Sequence, residues 1–365
     1  LRSETLAAWE ARLRPLLVRL PPPLAVRLYS WGRRRFLAAF ERPPSLAFSP
    51  EGLDRTLWGI RFRSPILNAA GVFKNGTGYR VVAAQGGGGY LAGTTTATPR
   101  HGNRRRGVAL PFAPYPRSRS ASNWLGLPNP GHRVVAERLR EVERVDGCPV
   151  GASVAACPGA ASREEAVAGV AAGMRLYEEA GVDFLELNES CPNTGEERRD
   201  LGTRLSYLED AFLTRRRRRL PVVVKFSCDT AVSEVPTLVG LLIDHGFDGV
   251  NFGNTSVDYP RRRQAIDPAE HPLFDHFTGT FGGGVSGRPI RATSLELAAR
   301  AVEEARRRAP EREFHVVRTG GVEDAGDLRR SRAAGVALDQ WYTGYFESFA
   351  RHGHGLYRRL YQGLE

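Results

Sequence analysis

Eight short apolar runs recur along the chain, most of them separated by a stretch with helical periodicity. That alternation limits the fold more than any other feature. The runs are "PILNAAG" (65–71), "GGYLAGTT" (88–95), "PVGASVA" (149–155), "VDFLELN" (182–188), "PVVVKFS" (221–227), "FDGVNFGNT" (247–255), "EFHVVRTGG" (313–321) and "GVALDQWYTG" (335–344). Helix-like segments such as "SREEAVAGVAAGMRLYEEAG", "EVPTLVGLLIDHG" and "SLELAARAVEEARRRAP" fall between them. Strands that are apolar on both faces and separated by amphipathic helices pair in parallel through right-handed crossovers. Eight such units predict an α/β fold, a closed (β/α)8 TIM barrel rather than an open doubly wound sheet. A length of 365 residues suits one large barrel as well as two average domains.

Residues 1–42 read differently. "ETLAAWEARLRPLLVRL" places Leu6, Trp9, Leu13, Leu16 and Leu17 on one helical stripe. "PPP" (21–23) breaks it, and "LAVRLYSWGRRRFLAAF" offers a second apolar stripe with arginines opposite. Two short helices of this kind can lie in a membrane interface or simply cap a domain. The expected organisation is a helical extension over 1–42 and a barrel over 43–365.

Composition narrows the class. Hydrophobic content of 41% and charged content of 25% are globular values. No run of eighteen apolar residues would span a bilayer, and the charged start does not read as a signal peptide. Cys148, Cys157, Cys191 and Cys228 lack C-x-x-C spacing, so no metal site is expected and a reducing cytoplasm is the simplest setting. The net charge of +12 could suggest nucleic acid, but the arginines are scattered and read as a solvated, biased surface, so no nucleic-acid partner is expected. Of the 52 cationic residues only Lys74 and Lys225 are lysines. In a chain that uses arginine almost everywhere, those two positions are expected to need a compact ammonium rather than a planar fork.

Chemistry in such barrels gathers where strands end and loops begin. Those positions hold Ala70, Gly71 and Lys74 after the first run, Thr94 and Thr95 after the second, and Ser153 in the third. The fourth is followed by "NESCPN" (188–193), the fifth carries Lys225, and the sixth ends on Asn254 and Thr255. Gly320 and Gly321 close the seventh, and Tyr342, Thr343 and Gly344 the eighth. In "NESCPN", Pro192 cannot continue a strand ladder, so Cys191 sits on a loop crowded with amides. The glycine-rich seventh and eighth loops form an anion cradle that suits a phosphorylated cofactor, and "FGGGVSGRP" (281–289) reads as another flexible, amide-rich approach.

"NESCPNTG", "SNWLGLPN", "GNTS", "GGGVSGRPI" and "YTG" are together similar to the dihydroorotate dehydrogenase family of flavin mononucleotide (FMN) barrels, over roughly residues 40–365. The resemblance implies oxidation of dihydroorotate to orotate in pyrimidine biosynthesis, with hydride passing from C6 to flavin N5 while a base takes a proton from C5. It makes Cys191 that base, a thiol whose ordinary pKa of about 8.5 is within reach of working pH. It places Lys225 at the flavin N1 and C2 carbonyl, where an ammonium stabilises the reduced ring. It also implies substrate contacts from Lys74, Asn123, Leu125, Gly126, Leu127, Asn188, Asn193, Asn254 and Thr255. The implied FMN contacts are Ala69, Ala70, Lys74, Thr94, Ser153, Asn188, Lys225, Ser286, Gly287, Gly320, Gly321, Tyr342 and Thr343.

The chain mixes two branches of that family. Lys74 in "AAGVFKNG" matches the membrane-associated branch, whereas Cys191 matches the soluble branch, whose membrane-associated counterpart has Ser. Glu189 stands where the family usually has a small or apolar residue and would oppose thiolate formation if it pointed inward. Segment 104–121 matches poorly, and the arginine expected near a quinone tunnel is not evident there. The helices favour a membrane quinone as electron acceptor and the Cys base a soluble one such as fumarate; quinone is the leading expectation. The implied location is cytoplasmic, peripheral on the inner face of the cell membrane. A flavin enzyme acting on another cyclic amide such as dihydrouracil, or a non-catalytic flavin-binding scaffold, are the alternatives.

Overall fold

The computed structural model describes residues 3–40, 47–189, 195–309 and 311–364. Each of the eight apolar runs contains one strand of a single parallel sheet: β1 (Ile66–Asn68), β2 (Tyr90–Thr95), β3 (Val150–Val154), β4 (Phe184–Asn188), β5 (Val222–Ser227), β6 (Gly249–Asn254), β7 (His315–Thr319) and β8 (Leu338–Trp341). Seven neighbouring pairs, from β2–β3 round to β8–β1, are joined by parallel ladders. The eighth seam, between β1 and β2, is closed by a side chain. Asn68 Nδ2 donates to the Leu91 carbonyl at 2.8 Å and its Oδ1 accepts from the Leu91 N–H at 3.3 Å. Above it, the Gly71 N–H donates to the Gly93 carbonyl at 2.7 Å. The result is the expected barrel.

Strand alternation sorts the interior into layers. Leu67, Leu91, Phe184, Val223, Val317 and Leu338 form an apolar lower layer, closed from below by Leu57, Trp58 and Phe62. Those three belong to an antiparallel hairpin, Arg55–Leu57 with Ile60–Phe62, absent from the sequence reading. Two residues further along, the inward positions of β3 to β8 turn polar, with Ser153, Glu186, Lys225, Asn251, Thr319 and Gln340 all buried. Helices form the outer wall. The one at Arg163–Glu179 begins where the Ser162 side chain accepts from the Glu165 N–H, with Glu164 and Glu165 favouring its positive end.

Two insertions build over the mouth. Phe112–Tyr115, Ser120–Asn123 and Gly284–Gly287 make a three-stranded antiparallel sheet, with Gly284 opposite Asn123 and Gly287 opposite Ser120. The segment 281–289 is therefore not a flexible approach. Its glycines serve close packing, since a Cβ on Gly284 would lie 1.8 Å from Thr255 Oγ1 and one on Gly287 2.3 Å from the Arg119 carbonyl oxygen.

The N-terminal residues form the two expected helices, α1 (Ser3–Leu17) and α2 (Pro22–Ala39), the second opening on the prolines that end the first. Ala25 and Val26 of α2 pack with Tyr115, Phe274 and Phe277 of the insertions. In α1, Arg14 pairs with Glu10 and with Glu347 beyond β8. The contacts made by α1 thus use a partly polar face. Of its apolar stripe, Trp9, Leu13 and Leu16 face solvent, joined by Leu24 and Trp31 of α2. Leu6 and Leu17 are only partly covered. No helix among the described residues is long and apolar enough to cross a membrane.

Phe62 is fully buried with its ring centroid 5.8 Å from that of Phe184, so it anchors the plug. Phe62→Ala is expected to cost about 3–5 kcal/mol. Urea unfolding would show this as a lowered midpoint; an unchanged midpoint would mean the hairpin is not part of the cooperative unit.

Candidate active site

A cavity of about 560 Å³ opens at the carboxyl ends of the strands. Volumes of this order hold a cofactor or small ligand. Its wall is built from Ala69, Ala70, Gly71 and Lys74 after β1, Thr94 of β2, Asn188 and Glu189 at the end of β4, and Lys225 of β5. Asn254, Thr255, Gly320, Gly321, Tyr342 and Thr343 follow β6 to β8, and Asn123, Leu125, Gly126, Leu127, Ser286 and Gly287 come down from the insertions. Nearly every residue expected at the site therefore reaches one space. Ser153 does not line it: it is fully buried below, its hydroxyl within 2.9 Å of Thr94 Oγ1 and donating to Glu186 Oε1 at 3.1 Å. Cys191 and Asn193 lie outside the described residues.

The amides are chained. Asn254 Nδ2 donates to Asn188 Oδ1 at 2.8 Å, and Asn188 Nδ2 donates to Thr94 Oγ1 at 3.1 Å. Asn254 Oδ1 in turn accepts from the Thr255 N–H at 3.0 Å. Such a chain fixes which edge of each amide faces the cavity, which is what recognition of a planar heterocycle with fixed donors and acceptors requires.

Beneath lies a polar floor that strand-end reasoning missed. Glu186 Oε2 accepts from Gln340 Nε2 at 2.8 Å and from Asn251 Nδ2 at 3.2 Å, and its Oε1 lies 3.6 Å from Lys225 Nζ. Lys225 also donates to Gln340 Oε1 at 3.3 Å, and Asn251 donates to Thr319 Oγ1 at 2.8 Å. The signal available in sequence was polar residues at inward positions inside otherwise apolar runs, up to three residues before the strand end.

Glu189 is buried, as an inward-pointing residue would be, but it does not carry an uncompensated charge. Arg204 Nη2 donates to its Oε2 at 2.8 Å, and Arg204 also pairs with Asp200, which Arg163 approaches at 3.3 Å. Burial raises the Glu189 carboxyl above its usual range, and Arg204 opposes that rise. Glu189 thus carries a built-in counter-ion in Arg204.

On the opposite wall, Arg33 of α2 donates to the Tyr342 phenol at 2.7 Å. The N-terminal extension thus brings a guanidinium onto a residue of the cavity wall. Lys74 is partly buried in the cavity wall; desolvation, followed by repulsion from Arg33, lowers its pKa to about 7. No carboxylate among the described residues forms an ion pair with it. A partly desolvated ammonium arranged this way is suited to an anionic guest.

The residues fit a flat, phosphate-bearing redox cofactor. At Gly71 a Cβ would stand 3.3 Å from the Tyr342 ring and 3.8 Å from Lys74 Nζ, so glycine keeps that approach open. The helix Thr343–His352 begins at the cavity wall beside Gly320 and Gly321, presenting unpaired N–H groups to an anion. Ser286 Oγ and Thr343 Oγ1 lie 2.9 Å apart at the same end.

The lowered lysine has a measurable sign. Below pH about 7 the Lys74 ammonium is charged in both folded and unfolded chains and its burial penalty is fully present; above pH about 10.5 it is neutral in both and the penalty vanishes. Relative to Lys74→Met, the ligand-free protein should be less stable near pH 7, and this gap should close as pH rises toward 10. Denaturation of both proteins across that range checks it; a gap that is constant with pH would exclude a desolvated ammonium.

The family model described as dihydroorotate dehydrogenase matches residues 52–357. A curated relative from Methylococcus capsulatus, named dihydroorotate dehydrogenase (quinone), is 30% identical over 348 residues, covering 92% of this chain and 94% of its own. One of the same name from Mycobacterium marinum is 32% identical over 316 residues, covering 85% and 81%. Among solved structures, DHODH from Eimeria tenella in complex with ferulenol aligns with a TM-score of 0.72 at 20% identity, covering 94% of this chain and 90% of that one. The ligand-free type from the same organism gives 0.73 at 21% identity, covering 92% and 93%. Sequence match, barrel and mouth agree: this chain belongs to the dihydroorotate dehydrogenase family.

Proposed function

We propose that the chain oxidises dihydroorotate to orotate with FMN as its flavin and passes the electrons to a membrane quinone. The observation that carries this reading is the convergence of its only two lysines and of Asn123, Asn188 and Asn254 on one cavity at the barrel mouth. FMN, when bound, supplies a two-electron acceptor for hydride. The chain supplies the rest. Backbone N–H groups of Gly320, Gly321 and Thr343 hold the phosphate, and Lys225 offers fixed positive charge to the ring edge that turns negative on reduction. Asn123, Asn188, Asn193 and Asn254, with Thr255 and the Leu125–Leu127 backbone, orient the pyrimidine. Lys74 balances negative charge on the guests, and Cys191 removes the C5 proton.

Quinone is favoured over fumarate by two features of the extension. Its outward apolar residues (Trp9, Leu13, Leu16, Leu24 and Trp31) suit contact with a lipid interface, consistent with a peripheral place on the inner face of the cell membrane. Arg33 and Tyr342 meet where α2 reaches the cavity, offering a cation and a phenol to a quinone carbonyl. The quinone named in the relatives agrees with this.

The purified protein should be yellow and bleach with dihydroorotate but not with dihydrouracil; the reverse pattern would defeat the assignment. Cys191→Ala should lower steady-state turnover by roughly 10²–10⁴-fold with flavin content unchanged. Equal turnover would instead favour a different base, and turnover absent from the natural protein would favour a flavin-binding scaffold.

For the acceptor, quinone and fumarate reduction are compared in the full chain and in one beginning near residue 42. Selective loss of the quinone reaction on truncation is expected. Unimpaired quinone reduction would remove the extension from the electron path.

A further inference from the structure

We infer that Glu186 sets how much positive charge Lys225 presents to the flavin, and so acts as a positioning residue for the redox chemistry. The inference rests on the reading that the cavity holds FMN. Glu186 is 1% exposed and Lys225 5%, so neither charge is screened by water. The carboxylate is held rigidly by three side-chain donors, Ser153, Gln340 and Asn251, at 2.8–3.2 Å. Each comes from a different strand, β3, β8 and β6, so the carboxylate cannot turn without disturbing the barrel. Its 3.6 Å separation from Lys225 Nζ is an electrostatic contact rather than a hydrogen bond. Lys225 is therefore not captured by Glu186. Its ammonium lies between a fixed negative charge below and the cavity it lines above.

This arrangement has two consequences. With no flavin bound, Glu186 spares the fold an unpaired buried cation. With flavin bound, the same carboxylate offsets part of the field that Lys225 exerts on the ring, holding the reduced state less tightly than a lone ammonium would. That lets electrons leave for the acceptor. Neither Ser153, Gln340 nor Asn251 carries charge, so among the described residues within reach of Lys225, Glu186 alone provides the offset.

Sulfite is the probe. Its sulfur lone pair adds to N5 of oxidised flavin without a leaving group, and the resulting negative charge rests on the ring edge that a nearby cation stabilises. Glu186→Gln, near in shape but uncharged, should tighten sulfite binding about tenfold or more and raise the flavin reduction potential. Glu186→Asp, which keeps the charge but withdraws it from Lys225, should shift both in the same direction by less. A purely structural role predicts lost flavin content or lower thermal stability with no gain in sulfite affinity. Should Glu186→Gln fail to load flavin, the Asp variant still decides the matter. Unchanged or weaker sulfite binding in a loaded variant overturns the inference. A natural protein that is yellow and oxidises dihydroorotate while its Glu186 variants behave normally rejects this inference alone; a colourless natural protein rejects the functional reading with it.

Discussion

The buried contact between Lys225 and Glu186 is where the architecture and the chemistry of this protein meet. Two opposite charges deep in a barrel carry a desolvation cost that attraction alone seldom recovers. Here the cost is offset because Ser153, Asn251 and Gln340 saturate the carboxylate from three other strands, while Gln340 also accepts from the lysine. The layer ties β3, β4, β5, β6 and β8 to one register. Slipping any of them by one residue would point a polar side chain into the outer helical layer and leave its partners unsatisfied. Below it the interior can be apolar and sealed; above it the interior opens as a cavity.

What stands over that floor comes from parts of the chain that are not barrel at all. Asn123 and Leu125–Leu127 arrive on the insertion between β2 and β3, and Ser286 and Gly287 on the one between β6 and β7, joined as one antiparallel sheet. Helix α2 rests on that sheet through Ala25 and Val26 and sends Arg33 to Tyr342. The barrel thus supplies charge and amides in fixed positions, and the insertions supply a roof. The extension adds a surface that exposes Trp9, Leu13, Leu16, Leu24 and Trp31 although the helices are docked. Docking through a partly polar face, Arg14 to Glu347 in particular, is what leaves the apolar stripe of α1 free.

Much of this was legible in the chain. Runs apolar on both faces marked all eight strands, because a parallel strand covered by helices has no solvent side to betray. The near-absence of lysine made Lys74 and Lys225 conspicuous, and both line the cavity. Ser153 was placed one level too high, since strand-end position alone does not tell a wall from a floor. Glu186, Asn251, Thr319 and Gln340 escaped notice for a related reason: a single polar residue inside an apolar run looks like an interruption until its partners are known. The glycines of 281–289 suggested mobility, whereas steric closeness to Thr255 and Arg119 is what demands them.

By itself the sequence determined the period of the strands, the breaks between the N-terminal helices, and which residues stand at the mouth, because these depend on neighbours a few positions apart. Only the tertiary structure decided which charges face each other. Arg33 and Tyr342 are 309 positions apart, and Gln340 and Glu186 are 154 apart. Their meeting depends on closure of the barrel, where Asn68 bridges the first and second strands, and on the docking of elements whose local patterns carry no information about distance.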